Sequence, residues 1–171
     1  MFISPASFAD IPALLLLVNG AFRGDSARRG WTHEADLLEG TLRTDEATLR
    51  ELLGTPGAVI LKIENETGRL LQGCVYLHKQ ESGLYLGMLT VAPEWQAKGI
   101  GKKLLAAAEE YAQREHCRRI FMRVLSERKE LIAWYERHGY RLTGETQPYA
   151  MDAKFGIPTR PLEFEILEKV L

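Results

Sequence analysis

Apolar residues recur at two spacings along this chain, and the alternation between them lays out the elements. Met1 to Ser4 reads as a short edge strand. Ser7 or Asp10 then offers an N-cap, and Ile11, Leu14, Leu15, Val18 and Phe22 fall on one helical face. Pro12 is compatible with a helix only this close to its start. Gly24 to Asp45 is a polar connection broken by Gly30 and Gly40, with helix expected around Glu34 to Leu42. Connections of that length tend to be binding or lid segments. A second helix is expected from Asp45 to Leu53, stopped by Gly54 to Gly57. Ala58 to Ile63 and Leu70 to His78 form a hairpin across the turn Asn65 to Gly68.

After a turn at Gln80 to Gly83, Tyr85 to Val91 is a strand, and Lys102 to Arg114 is helical. Ile100, Leu104, Ala108, Tyr111 and Ala112 give that helix its apolar face. Arg119 to Leu125 is almost continuously apolar, as a strand inside a sheet is. Glu130 to His138 is a helix ended by Gly139 in the C′ position. Tyr140 to Gly144 starts a strand, Thr146 to Thr159 is a loop, and Leu162 to Leu171 closes the sheet. The pattern predicts a mixed α/β (α+β) domain over residues 1–171. Its sheet is mostly antiparallel, with one parallel crossover from Tyr85–Val91 to Arg119–Leu125.

The crossover begins with Gln96-Ala97-Lys98-Gly99-Ile100-Gly101. A strand, a glycine-containing loop and a helix start make an anion cradle. Glycine lets backbone approach a ligand, and the first-turn amides and the helix dipole favour negative charge. Lys98 and Lys102 add positive charge there, so a phosphate or pyrophosphate is the expected occupant. A dinucleotide loop is excluded because Leu104 stands where its last glycine belongs. A P-loop is excluded by Gln96 and Lys103 at its glycine and Ser/Thr positions.

What fits is Q-x-x-G-x-G. Val91 to Leu105, with the lead-in Pro93-Glu94-Trp95-Gln96, resembles the acetyl-CoA loop of the GCN5-related N-acetyltransferases. The element order agrees with that family along essentially the whole chain. The resemblance implies about seven strands flanked by about four helices, splayed between the fourth and fifth strands. It also implies that Gln96, Ala97, Lys98, Gly99, Ile100, Gly101 and Lys102 hold the cofactor's pyrophosphate. Backbone of Leu89, Thr90 and Val91 would hold pantetheine and polarise the thioester.

A second motif, Ala133-Trp134-Tyr135-Glu136-Arg137-His138-Gly139-Tyr140, resembles the same family's apolar-Tyr-Glu helix. The resemblance implies that Tyr135 protonates the departing CoA thiolate, and a phenol is protonated at neutral pH as an acid must be. One position departs from the family: Arg128 stands where an asparagine is common, and a contact to a cofactor phosphate is the alternative role expected of it. Glu34, His33 and His78 are candidates to take the acceptor's proton, and Trp31 and Tyr149 are candidates to line its pocket. The expected reaction is direct acetyl transfer from acetyl-CoA to a primary amine, on a small molecule, an amino acid, or a peptide or protein. The alternative is a non-catalytic CoA-binding or regulatory domain on the same fold.

Composition narrows partners more than fold. A net charge of −1 offers no attraction to nucleic acid or anionic membrane. The two cysteines, Cys74 and Cys117, lie in apolar runs without ligand spacing, so no metal is expected. The apolar run Ala13 to Val18 is too short to span a bilayer and has no basic lead, which makes the cytoplasm the expected location. A monomer or homodimer is expected.

Overall fold

A computed structural model describes all residues, Met1–Leu171. Its strands are β1 (Phe2–Pro5), β2 (Leu38–Glu39), β3 (Ala58–Glu64), β4 (Leu71–Gln80), β5 (Gly83–Val91), β6 (Arg119–Leu125), β7 (Arg141–Pro148), β8 (Ile157–Pro158) and β9 (Glu163–Val170). Its helices are α1 (Ile11–Phe22), α2 (Gly24–Ala27), α3 (Glu46–Gly54), α4 (Ile100–Arg114) and α5 (Lys129–Arg137). Seven strands form one sheet in the order β1-β3-β4-β5-β6-β9-β7. Only β5 and β6 run parallel. No helix is long and apolar enough to cross a membrane.

Strand alternation divides the core between the two faces of the sheet. Leu61 and Ile63 of β3, Val75 and Leu77 of β4, and Leu84 and Leu86 of β5 pack under α4 through Ile100, Leu104, Leu105 and Ala108. Ile60, Cys74 and Tyr76 point the other way, into α1 and Leu49 of α3. Met88 breaks the alternation. Two residues after Leu86 it should share Leu86's face, yet it packs with Cys74 and Tyr76. The register explains the switch: Tyr76 pairs with Gly87 and Cys74 with Thr90, so one β4 residue opposes two of β5. Met88 takes left-handed backbone (φ 52°) to make this bulge.

The parallel pairing is short. Leu84 pairs with Ile120 and Tyr85 with Phe121, and there it ends. Leu86 to Val91 and Met122 to Leu125 then diverge, leaving the facing backbone edges without a strand partner.

Two expectations from the sequence are corrected. Residues 34–42 are not helical: one turn follows Glu34, and Leu38–Glu39 then pairs antiparallel with Ile157–Pro158. Leu38 is fully buried by this pairing, and Gly40 at φ 122° ends any helix. The loop placed at 146–159 begins later, because β7 continues to Pro148 against β9 after an irregularity between Leu142 and Thr146. Glu145-Thr146-Gln147 carries no apolar alternation because β7 is a largely exposed edge strand.

Candidate active site

The loop from β5 to α4 turns once at Pro93–Trp95 and then takes left-handed backbone at Ala97 (φ 60°) and Gly99 (φ 82°). A Cβ on Gly99 would meet nothing within 4 Å, so the positive φ and not space explains this glycine. The first helical bond runs from the Lys103 N–H to the Gly99 carbonyl at 3.1 Å. No backbone carbonyl accepts from the amides of residues 97–102. Lys98 and Lys102 are exposed beside them, and the Lys98 ammonium stands 4.7 Å over the Trp95 ring. These donors are uncommitted, and an uncommitted helix start is the kind of place where anions bind.

The side chain of Gln96 does something else. Its Oε1 accepts from the Trp31 N–H at 2.9 Å, and its Nε2 donates to Thr32 Oγ1 (2.9 Å) and to the Val91 carbonyl (3.1 Å). Gln96 therefore straps residues 30–32 across the loop, and a Cβ on Gly30 would lie 2.6 Å from its Oε1. Arg128 holds the next part of the strap. It donates to the Thr32 carbonyl and stands 3.7 Å from the Glu34 carboxylate. That side chain is committed to the strap and is not free for a phosphate.

Two cavities meet where β5 and β6 diverge. One, with room for about 350 Å³, is lined by Trp31, Leu89, Val91, Gln96, Ala97, Gly99, Ile100, Gly101 and Trp134. A Cβ on Gly101 would come within 3.2 Å of the Trp134 ring, which packs this wall closely. The other is smaller, about 100 Å³, and lies over the bulge between Phe22, Arg23, Glu34, Arg43, Met88, Arg123 and Tyr149. Phe22, Leu89, Arg128, Leu131 and Tyr135 belong to both walls.

Tyr135 is 5% exposed, with its ring set edge-on against Trp134 and Tyr140. Burial raises its phenol well above the ordinary value. It is therefore protonated throughout the neutral and mildly alkaline range.

The remaining candidates separate. Thr90 is buried, with its hydroxyl on the Met88 carbonyl at 2.9 Å, so it braces the bulge. Glu34 reaches the smaller cavity, but Arg23 (3.4 Å) and Arg128 (3.7 Å) occupy its two oxygens. Tyr149 also lines that cavity. Trp31 instead lines the larger one, 6.4 Å from the Trp134 ring. His33 accepts from the Ala35 N–H (3.2 Å) and faces a separate surface hollow with Asp36 and Lys129. His78 lies in an outer groove with Tyr76 and Tyr85. The structure brings neither histidine to the point where the cavities meet. Cys74 is buried, and its thiol is pushed up to about 12 by burial, so it does not serve as a nucleophile.

Sequence reasoning missed Thr32, Trp134 and the arginines at 23, 43 and 123. Trp134 sits inside the second motif and could have been read there. The arginines are separated by up to 100 positions along the chain, and nothing local links them.

Residues 25–140 match the acetyltransferase (GNAT) family model. The chain belongs to that family. N-alpha-acetyltransferase 30 of Saccharomyces cerevisiae is 31% identical over 91 residues, 51% of this chain. The chain spans less than half of that relative, 46% of its length. Among solved structures, a ribosomal-protein-alanine N-acetyltransferase from Brucella melitensis superposes over 100% of both chains with a TM-score of 0.73 at 23% identity. The yncA protein of Salmonella typhimurium, solved with its cofactor acetyl-CoA, gives 0.68 at 21% identity over 100% of this chain and 94% of its own. These likenesses are of fold. The family's cosubstrate is acetyl-CoA, and the GNAT chain described here has the matching features. Its loop amides are free, its larger cavity leads from them to the divergence, and the β5 edge there has no strand partner.

Proposed function

We propose that this GNAT protein transfers an acetyl group from acetyl-CoA to a primary amine by direct attack, with both substrates bound at once. The observation that carries the reading is the place of Tyr135, on the wall shared by the two cavities. Bound acetyl-CoA supplies a thioester and a thiol leaving group. The amides of residues 97–102 grip its diphosphate, with Lys98 and Lys102 adding charge. The free edge of β5 from Leu89 to Val91 pairs with pantetheine as an added strand would. Backbone N–H groups at the bulge face the thioester, in the manner of an oxyanion hole. Tyr135 holds its proton at Oη, ready for the departing sulfur. Glu34, with both oxygens engaged, positions Arg23 and Arg128 and does not carry the acceptor's proton.

The test is thiol release from acetyl-CoA with a panel of amines. Tyr135→Phe should lower kcat about 100-fold and leave the KM for acetyl-CoA unchanged. Undiminished kcat in the variant removes Tyr135 from the chemistry. Tight CoA binding by the wild type with no turnover of any amine points instead to a CoA-binding domain without activity.

A further inference from the structure

The smaller cavity is strongly positive. Four guanidiniums line it, those of Arg23, Arg43, Arg123 and Arg128, against the one carboxylate of Glu34. Glu34 is already shared between Arg23 and Arg128. Arg43 and Arg123 have no carboxylate partner. The first lies 5.8 Å over the Phe22 ring, and the second 4.6 Å over the Phe164 ring. Arg23 is 4% exposed and donates to the Leu42 and Phe155 carbonyls and to Glu34, which leaves its Nε without an acceptor; the buried Tyr149 hydroxyl beside it makes no hydrogen bond of good geometry either. Native structures satisfy nearly all such groups, so unpaired donors on a cavity wall point to a ligand that accepts from them.

Acetyl-CoA does not account for this charge. The part of it that reaches the divergence of β5 and β6, pantetheine and thioester, is uncharged. A simple ammonium or a polyamine would be repelled by the excess of guanidinium. An amine that brings its own anion would not, because planar guanidinium matches carboxylate with paired donors.

We propose that the acceptor is a small primary amine that also carries a carboxylate, and that free amino acids are the class this cavity fits. The proposal deepens the acetyl-transfer reading and rests on it. The carboxylate takes the donors of Arg43, the Nε of Arg23 and the Tyr149 hydroxyl, while the amine points to the divergence. The cavity holds about 100 Å³, which suits a compact acceptor. The positive wall has a second consequence. Neighbouring positive charge disfavours the ammonium form of the amine. It thereby raises the share of free amine without a dedicated basic side chain.

The experiment measures kcat/KM for three acceptor sets: free L-amino acids, their α-carboxamides, and C-terminally amidated hexapeptides. CoA binding is followed in parallel by calorimetry. The expected result is a preference for at least one free amino acid over its carboxamide of about tenfold or more. Arg43→Gln should raise the KM for that amino acid by a similar factor, about tenfold. It should leave the KM for acetyl-CoA near wild type and narrow the gap between acid and carboxamide. A generally damaged fold would move all of these together. Equal or better use of carboxamides or peptides overturns the proposal. So does failure of every free amino acid both to turn over and to bind the CoA complex. In either case CoA binding with intact turnover of another amine leaves the acetyl-transfer reading standing, whereas loss of CoA binding removes that reading itself.

Discussion

Gln96 shows how one side chain can brace a cavity wall from several directions at once. Its three hydrogen bonds reach Trp31, Thr32 and Val91, and so tie the strap over the larger cavity to both β5 and the loop. Replacing it by alanine leaves the loop amides in place and frees the strap. Each such bond contributes on the order of 1 kcal/mol net. Gln96→Ala should therefore raise the KM for acetyl-CoA about tenfold or more, with faster amide exchange at residues 30–34 in the free protein. Unchanged KM and unchanged exchange would show that the strap is held by other contacts. The sequence marked Gln96 for its motif position, but its use could not be read there, since its partners Trp31 and Thr32 lie about 65 residues away in a segment with no pattern of its own.

At the scale of elements, the bulge in β5 decides the geometry. It turns Met88 to the opposite face and ends the β5–β6 pairing after Tyr85. Gly73 on β4 is part of the same device, because a Cβ there would stand 2.6 Å from the Thr90 carbonyl. Gly73→Ala should force the strands apart at that point and destabilise the protein by roughly 1–3 kcal/mol, read from urea or thermal unfolding. A change within error would mean that β4 and β5 tolerate a wider spacing at the bulge. Much of this level was legible in the chain. Leu84 and Leu86 share one phase, and Leu89 and Val91 the other, so the apolar alternation slips by one residue where the bulge occurs. The loop after it was legible for the same kind of reason, a fixed spacing of Gln96, Gly99 and Gly101. The pairing of Leu38–Glu39 with Ile157–Pro158 was not. Two-residue strands carry no period, and only the distant partner defines them.

For the whole molecule, burial sets a limit at high pH. It raises the Cys74 thiol to about 12 and lifts the phenols of Tyr135 and Tyr140 as well. In the unfolded chain these groups ionise at their ordinary values, about 8.5 for the thiol and about 10 for the phenols. Above those values the unfolded state binds fewer protons than the folded one, so stability falls as pH rises. The contribution is intact below about pH 8 and is lost progressively from about pH 9 upward. Urea midpoints should decline over that range, and Cys74→Ala should flatten the first part of the decline. An unchanged slope in the variant would assign the alkaline loss elsewhere. Tyr135 itself stays protonated there, so a fall in kcat near pH 9 would belong to another group.

The proposed function turns on free amides at residues 97–102 aligning a thioester with the gap between β5 and β6. Calorimetric titration with CoA and, separately, with pantetheine and with adenosine 3′,5′-bisphosphate tests that grip, because pantetheine lacks the diphosphate and the nucleotide together and the bisphosphate measures the nucleotide's own share. CoA should bind, acetyl-CoA should compete with it, and pantetheine should bind at least about a hundredfold more weakly, as loss of several charge-assisted hydrogen bonds requires. Equal affinity for CoA and pantetheine, or no heat with CoA, would contradict it.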